Sequence, residues 1–203
     1  MILALDAATS TVVLGLADTS GQVMVERRLQ GGRGDVLPGL LEAALAEIGV
    51  PAHDISEVVC GVGPGSFTGI RIALSFGHGI AFRRNLPYRG VSSLAGALGS
   101  PNLDPALPRI ALLDALRGEV YVRVGPDGVD TRVSLDALPE LLQADAQLVA
   151  EGRPDFTARL PSGWLPLTDC VSVAGLLAAR RHTIDPVPNY LRASAPEELR
   201  SGK

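Results

Sequence analysis

The nine residues Gly61-Val-Gly-Pro-Gly-Ser-Phe-Thr-Gly69 constrain this chain more than any other stretch. Glu57-Val-Val-Cys60 before them reads as a short buried strand, and the apolar run after them reads as a helix to about Arg84. Gly61, Gly63, Gly65 and Gly69 supply positive φ and close backbone approach, while Pro64 fixes φ between two of them. Ser66 and Thr68 can each accept a hydrogen bond from the first helical turn. A strand, a glycine turn and a helix N-terminus make an anion cradle. The other reading is that the glycines only allow a tight strand-to-helix connection. The residues leave both open.

The helix itself narrows the fold. Every fourth residue from Gly69 gives Gly69, Ala73, Gly77 and Ala81, a row of small side chains. The neighbouring rows, Ile70-Leu74-His78-Phe82 and Ile72-Phe76-Ile80, are largely apolar, and only Arg71, Ser75, Gly79 and Arg83 form a row that is neither. A helix apolar on most sides is buried on more than one side. Two interior glycines cost roughly 1 kcal/mol each relative to alanine, so the small row is expected to receive another backbone closely. One face covers its own sheet and the other is left for a partner helix. A membrane span needs roughly 20 apolar residues, and Arg71 interrupts this run.

Along the chain, Ile2 to Ala8, Val12 to Asp18 and Gln22 to Leu29 read as a meander of three strands, followed by a polar, glycine-rich connection over 31–35. Val36 to Gly49 is an amphipathic helix with Leu37, Leu40, Leu41, Ala44, Leu45 and Ile48 on one stripe. After helix 69–84 come a strand over 87–91, a short helix over 93–98 and a linker marked by Pro101, Pro105 and Pro108. The order then recurs: strands 109–114, 119–124 and 129–133, a helix over 135–142, a strand over 147–151 and a helix over 171–181. Two copies of β-β-β-α-β-α, each opening with a strand that ends in aspartate, are the signature of the α/β actin/sugar-kinase/Hsp70-like (ASKHA) fold. The expected lobes are 1–100 and a smaller 101–203.

Composition removes several chemistries. Lys203 is the only lysine beside 17 arginines, which excludes a phosphate-loop lysine. A net charge of −4 argues against free-standing nucleic-acid binding. Cys60 and Cys170 suggest reduced thiols rather than a disulfide framework. His53, His78 and His182 are scattered without metal-ligand spacing, and Ser66 is not in a nucleophile elbow. The first residues enter a strand at once and do not present a signal peptide, so a cytoplasmic location is expected.

Asp6-Ala-Ala-Thr9-Ser10-Thr11 is similar to the first phosphate motif of the ASKHA fold, and Asp114-Ala-Leu-Arg-Gly-Glu119 takes the matching place in the second half. Facing each other across a cleft, two such carboxylates could hold Mg²⁺ and a nucleotide. Alternatively, Asp6 and Asp114 cap hairpins at a lobe interface, a reading favoured by the lack of a glycine-rich adenosine motif in the second half. The candidate phosphate site comprises Asp6, Thr9, Ser10, Gly63, Gly65, Ser66 and Asp114.

These segments, with Gly90-Val-Ser-Ser-Leu94, Asp114 to Tyr121 and Pro188-Asn-Tyr-Leu-Arg192, resemble the bacterial TsaB (YeaZ) family in order over nearly the whole chain. The resemblance implies a non-catalytic scaffold and partner of the catalytic subunit TsaD, working with the ATPase TsaE. Together they transfer threonylcarbamoyl from threonylcarbamoyl-AMP to N6 of adenosine 37 in tRNAs reading ANN codons. TsaD binds metal through an H-x-x-x-H pair, and the matching positions here are Ser92 and Gly96. No metal or cofactor is then required by this chain, although ATP or ADP could sit at the interface with the partner. The expected partner face is Leu37, Leu40, Leu41 and Ala44 with Gly69, Ala73, Gly77 and Ala81, half of a four-helix bundle. TsaD would complete it, or a second copy in the protein alone, and tRNA would be reached only through the complex. The alternative is a stand-alone ATP-using phosphotransferase of the same fold.

Overall fold

The chain folds around two five-stranded sheets whose strand orders match position by position. A computed structural model describes residues 1–31, 36–142 and 145–191; most of the glycine-rich connection (32–35) and Arg192 of the last motif lie outside them. The first sheet runs β3(Val23–Gln30), β2(Thr11–Ala17), β1(Ile2–Asp6), β4(Glu57–Gly61), β5(Tyr88–Val91). The second runs β8(Thr131–Ser134), β7(Glu119–Val124), β6(Arg109–Leu116), β9(Gln147–Glu151), β10(Leu165–Pro166). In each, the first three strands form an antiparallel meander and the next two join in parallel. β1 is apolar up to its terminal aspartate because both its faces are covered. The two-lobed ASKHA architecture follows.

Five layers result. α1(Leu37–Ile48) and α2(Phe67–Arg84) cover the outer face of the first sheet, where Leu3, Leu5, Leu14, Val58 and Cys60 meet Leu37, Ala44, Ile70 and Ala73. Ser66 caps α2 by accepting from the Gly69 N–H at 3.2 Å, and Asn85 closes it in the left-handed region at φ 51°. The outer face of the second sheet, with Ile110, Leu112 and Val120, is closed by the short helices α4(Leu138–Leu141) and α5(Pro154–Thr157) through Leu138 and Phe156, with Trp164 beside them.

Between the sheets lie α3(Ser93–Leu98) and α7(Val173–Ala179), and here the halves interpenetrate. α3 belongs to the first half yet packs on β6 and β7, while α7 belongs to the second and packs on β1, β2 and β4. They cross at glycines: a Cβ on Gly175 would stand 2.0 Å from the Gly96 carbonyl oxygen, and one on Gly96 would stand 2.8 Å from Leu176 Cδ2. A boundary at residue 100 thus separates the strands of the two sheets but cuts through one shared core of Ala4, Val59, Leu94, Leu113, Val149 and Leu176.

Two expected helices are shorter than their apolar patterns. Residues 135–142 form a 3₁₀ turn and then α4, and 171–181 form α7 and a 3₁₀ turn over Arg180–His182. α5, β10 and α6(Leu167–Cys170) lie in a stretch for which the sequence pattern gave no elements.

Candidate functional site

The glycine turn and the end of β1 are one packed unit. An added Cβ would stand 1.6 Å from Asp6 Oδ2 at Gly61, 2.0 Å from the Ala8 carbonyl oxygen at Gly65, and 1.9 Å from the Ala7 carbonyl oxygen at Gly69. Three of the turn's N–H groups are spent internally: Gly63 donates to Ser93 Oγ at 3.1 Å, Ser66 to the Ala8 carbonyl at 2.7 Å, and Gly69 to Ser66 Oγ. The cradle therefore holds residues 6–8 of the chain itself. The close approaches at Gly61, Gly65 and Gly69 are what a tight strand-to-helix connection requires.

Asp6 is fully buried. Its Oδ1 accepts from the Ala8 N–H at 2.7 Å, and its Oδ2 accepts from the Ser93 hydroxyl. Burial pushes its carboxyl up to about 6, partly opposed by those two hydrogen bonds and assisted by the nearby charge of Glu151. Thr9 Oγ1 is turned onto its own hairpin, accepting from the Thr11 N–H and donating to the Thr11 carbonyl. Ser10 donates its N–H to Glu151 Oε1 at 2.8 Å, a contact between the lobes.

Asp114 does not share this setting. Its Oδ1 caps its own hairpin through the Leu116 N–H at 2.8 Å, and its Oδ2 accepts from Arg153 Nε at 2.8 Å. Burial alone would raise this carboxyl, but the hydrogen bonds from Arg153 and Leu116 outweigh it and hold the group below the usual carboxylate range. The carboxylate that approaches Asp6 is Glu151, at the end of β9. Of the two readings of these aspartates, these contacts fit the favoured one, hairpin capping: Asp6 and Asp114 each accept from the N–H two residues on, Asp114 is also paired with Arg153, and Asp6 neighbours Glu151. Glu151 was missed because a lone glutamate at a strand end carries no sequence signal, and only the packing of the two lobes brings it to Ser10 and Asp6. Among the described residues no three His, Cys, Asp or Glu side chains converge as metal ligands. Ser92 instead caps α3 and donates to Asp130 Oδ1 at 2.9 Å. Burial raises both thiols, Cys170 to about 11 and Cys60 beyond it, which makes them poor nucleophiles.

The partner face also differs from its expected residues. Ala73, Gly77 and Ala81 are buried in the chain's own lobe, and Gly69 is pressed on Ala7. A Cβ at Gly77 would lie 3.2 Å from Tyr88 Cε2 and 3.3 Å from Val58 Cγ1. Leu37 and Ala44 are buried over β2 and β3, while Leu40 and Leu41 are half-buried. The stripe reading placed the small row outside; it lies inside because the sheet needs the close approach. What α2 presents outward is Arg71, Ser75, Gly79 and Arg83, with Phe82 77% exposed, and α1 presents Gly39, Glu42, Ala43 and Ala46. A Cβ at Gly39 or Gly79 would meet nothing within 4 Å.

The last motif fastens this assembly. Asn189 donates its N–H to the Val62 carbonyl at 2.8 Å and its Nδ2 to Asp130 Oδ2 at 2.8 Å, bridging the two lobes. Tyr190 stacks on Phe67 at 4.9 Å, and Arg71 donates Nε to the Tyr190 hydroxyl at 2.9 Å. A cavity of about 430 Å³ remains between α2 and residues 186–188, lined by Arg71, Ser75 and His78.

Comparison with known proteins agrees with this arrangement. The sequence model of the family described as "TsaD: tRNA N6-adenosine threonylcarbamoyltransferase" matches residues 34–191. An uncharacterized protein of Mycobacterium tuberculosis (strain ATCC 25618 / H37Rv) is 33% identical over 203 residues, covering 94% of this chain and 91% of its own length. The tRNA threonylcarbamoyladenosine biosynthesis protein TsaB of Escherichia coli (strain K12) is 39% identical over 87 residues, 42% of this chain and 37% of that protein. The structure of YeaZ from Pseudomonas aeruginosa superposes with a TM-score of 0.74 at 24% identity, covering 94% of this chain and 99% of that one. With the matching segments spread from the first hairpin to the closing Pro-Asn-Tyr, the chain belongs to the TsaB (YeaZ) family.

Proposed function

We propose that this chain is the non-catalytic partner subunit in the transfer of threonylcarbamoyl to N6 of adenosine 37 in tRNAs reading ANN codons, and that it docks the catalytic subunit TsaD through the outer faces of α1 and α2. The observation that carries the docking surface is the outward face of α2. Phe82 is 77% exposed, Gly79 is open to solvent beside it, and the half-buried Ile72, Phe76 and Ile80 flank them. Exposed apolar groups beside open small residues allow a partner helix to approach closely. α1 adds Gly39, Ala43 and the half-buried Leu40.

In this reading the scaffold acts in the cytoplasm, a second copy takes TsaD's place when the protein is alone, and TsaE joins the assembled pair. tRNA is held by the complex, since a chain of net charge −4 offers few counterions to release. Any ATP or ADP is held by partner residues at the interface. The test is co-purification with TsaD of the same organism, using wild type and Gly79→Arg. Wild type should retain TsaD, and the variant should lose it by tenfold or more while keeping its fold. Failure of wild type to bind TsaD, or undiminished binding by the variant, would overturn the proposal.

A further inference from the structure

The ASKHA fold implies a nucleotide between the lobes with its terminal phosphates on the first hairpin, and three features of this chain do not fit that group. The N–H of Ser10 on that hairpin already donates at 2.8 Å to Glu151 Oε1, a residue 141 positions away in the other lobe. Three N–H groups of the glycine turn are likewise engaged within the chain, because Gly63, Ser66 and Gly69 give theirs to Ser93, Ala8 and Ser66. Finally, Glu151 stands close enough to the buried Asp6 to raise its proton affinity, and Glu151 Oε2 is itself buried with no hydrogen-bond partner among the described residues. Two carboxylates in that position repel a phosphate, and an unsatisfied buried oxygen is not what stability alone would select.

We propose that Glu151 is an internal stand-in for a phosphate: its carboxylate fills the anion position of the β1–β2 hairpin and closes the cleft of this chain to nucleotides. The contact joins the lobes at the same stroke, since Ser10 lies in the β1–β2 hairpin of the first lobe and Glu151 in β9 of the second. It follows that a nucleotide handled by any assembly containing this chain is held by other subunits. The inference concerns the chain alone and stands apart from the proposed pairing with TsaD.

The test is binding of Mg-ADP and of inorganic pyrophosphate to the full chain, by calorimetry and by ligand-dependent thermal shift, for wild type, Glu151→Gln and Glu151→Ala. Wild type should show no response in the millimolar range. Glu151→Ala frees the Ser10 N–H and removes the charge, and should gain affinity by about tenfold or more, roughly 1.4 kcal/mol. Glu151→Gln removes the charge but keeps an acceptor on Ser10, so its gain should be smaller. Amide exchange at Ser10 supplies a second readout: slow in wild type and Glu151→Gln, fast in Glu151→Ala. If Glu151→Ala does not fold, a gain by Glu151→Gln over wild type supports the inference and no gain overturns it. Nucleotide binding by wild type as tight as by the variants, or no gain in either folded variant, would overturn it. Equal gains in both variants would overturn the seat assignment, because they would reduce the effect to net charge.

Discussion

The corner at the end of β1 and the corner at the end of β6 have the same construction and opposite electrostatics. Register places Leu5 beside Cys60 and Leu113 beside Glu151, so the next step brings Asp6 to Gly61 and Asp114 to Gly152. Each aspartate caps the hairpin that follows it through the N–H two residues on, at Ala8 and at Leu116. Each needs glycine on the parallel neighbour, because a Cβ would stand 1.6 Å from Asp6 Oδ2 at Gly61 and 2.6 Å from Asp114 Cβ at Gly152. The second corner adds Arg153, which keeps its carboxylate ionised, whereas the first adds burial and the like charge of Glu151. The shared part is therefore structural, and the difference decides whether the corner tolerates negative charge.

The helices outside the two sheets diverge as well. α1 and α2 have 12 and 18 residues, while their counterparts α4 and α5 have 4 each. The second sheet is nonetheless closed, by Leu138, Phe156 and neighbouring apolar side chains. Long helices are thus not needed to cover a sheet of this size. The extra turns of the first half supply an outward face.

The sharpest way to break the comparison is to add one methyl group to each corner. Gly61→Ala should cost more than about 4 kcal/mol or prevent folding, because Asp6 is pinned by Ala8 and Ser93 and has nowhere to go. Gly152→Ala should cost about 1–3 kcal/mol, since its nearest obstacle, at 2.3 Å, is the Phe156 ring, which can shift within a smaller lobe. Urea denaturation of both variants measures the difference, and equal losses would deny the asymmetry.

pH separates the two aspartates next. Asp6 titrates near 6 in the folded chain against an ordinary value of 3.8, so the folded state binds its proton more tightly. The stability linked to that proton is fully present below about pH 4 and is lost as pH rises through 6, to a total of about 3 kcal/mol. Asp114 has the opposite sign: its contribution is present at neutral pH and is lost as pH falls through its depressed value. Asp6→Asn should flatten the loss between pH 4 and 7 in denaturation curves, and Asp114→Asn should not. A wild-type curve that rises steadily from pH 4 to 7 and is unchanged by Asp6→Asn would contradict the assignment.

Much of this was legible in the residues, for definite reasons. Strand and helix order followed from apolar runs punctuated by glycine and proline, and the Asp-ended strands announced the repeat. The hairpin-capping reading of Asp6 and Asp114 was open from the start, because aspartate bonds locally to N–H groups two residues on. α5, β10 and α6 were not legible, since elements of two to four residues leave no periodicity. The orientation of α2 was also hidden. Gly69, Ala73, Gly77 and Ala81 form a small row whichever way the helix faces, and only the position of Tyr88 and of the Ala7 carbonyl decides it. Glu151 became visible only when the two sheets were brought together.

The smallest expected effects sharpen the helix comparison, because they separate the inner from the outer face of one helix. Gly77→Leu places its side chain against Val58 and Tyr88 inside the lobe, and overpacking of that kind costs about 1–3 kcal/mol of stability. Gly79 lies two residues on with nothing within 4 Å of its Cβ, and Phe82 is 77% exposed. Surface substitutions of this kind stay within about 0.5 kcal/mol; Phe82→Ser and Gly79→Leu should therefore leave the denaturation midpoint nearly unchanged. Their effect should fall on association, with a lighter species in light scattering of the protein alone and weaker retention of TsaD. A variant pair in which Gly79→Leu unfolds the chain and Gly77→Leu does not would mean that the helix is rotated from the orientation described. Normal association by Phe82→Ser and Gly79→Leu together would leave the outer face of α2 without a role in docking.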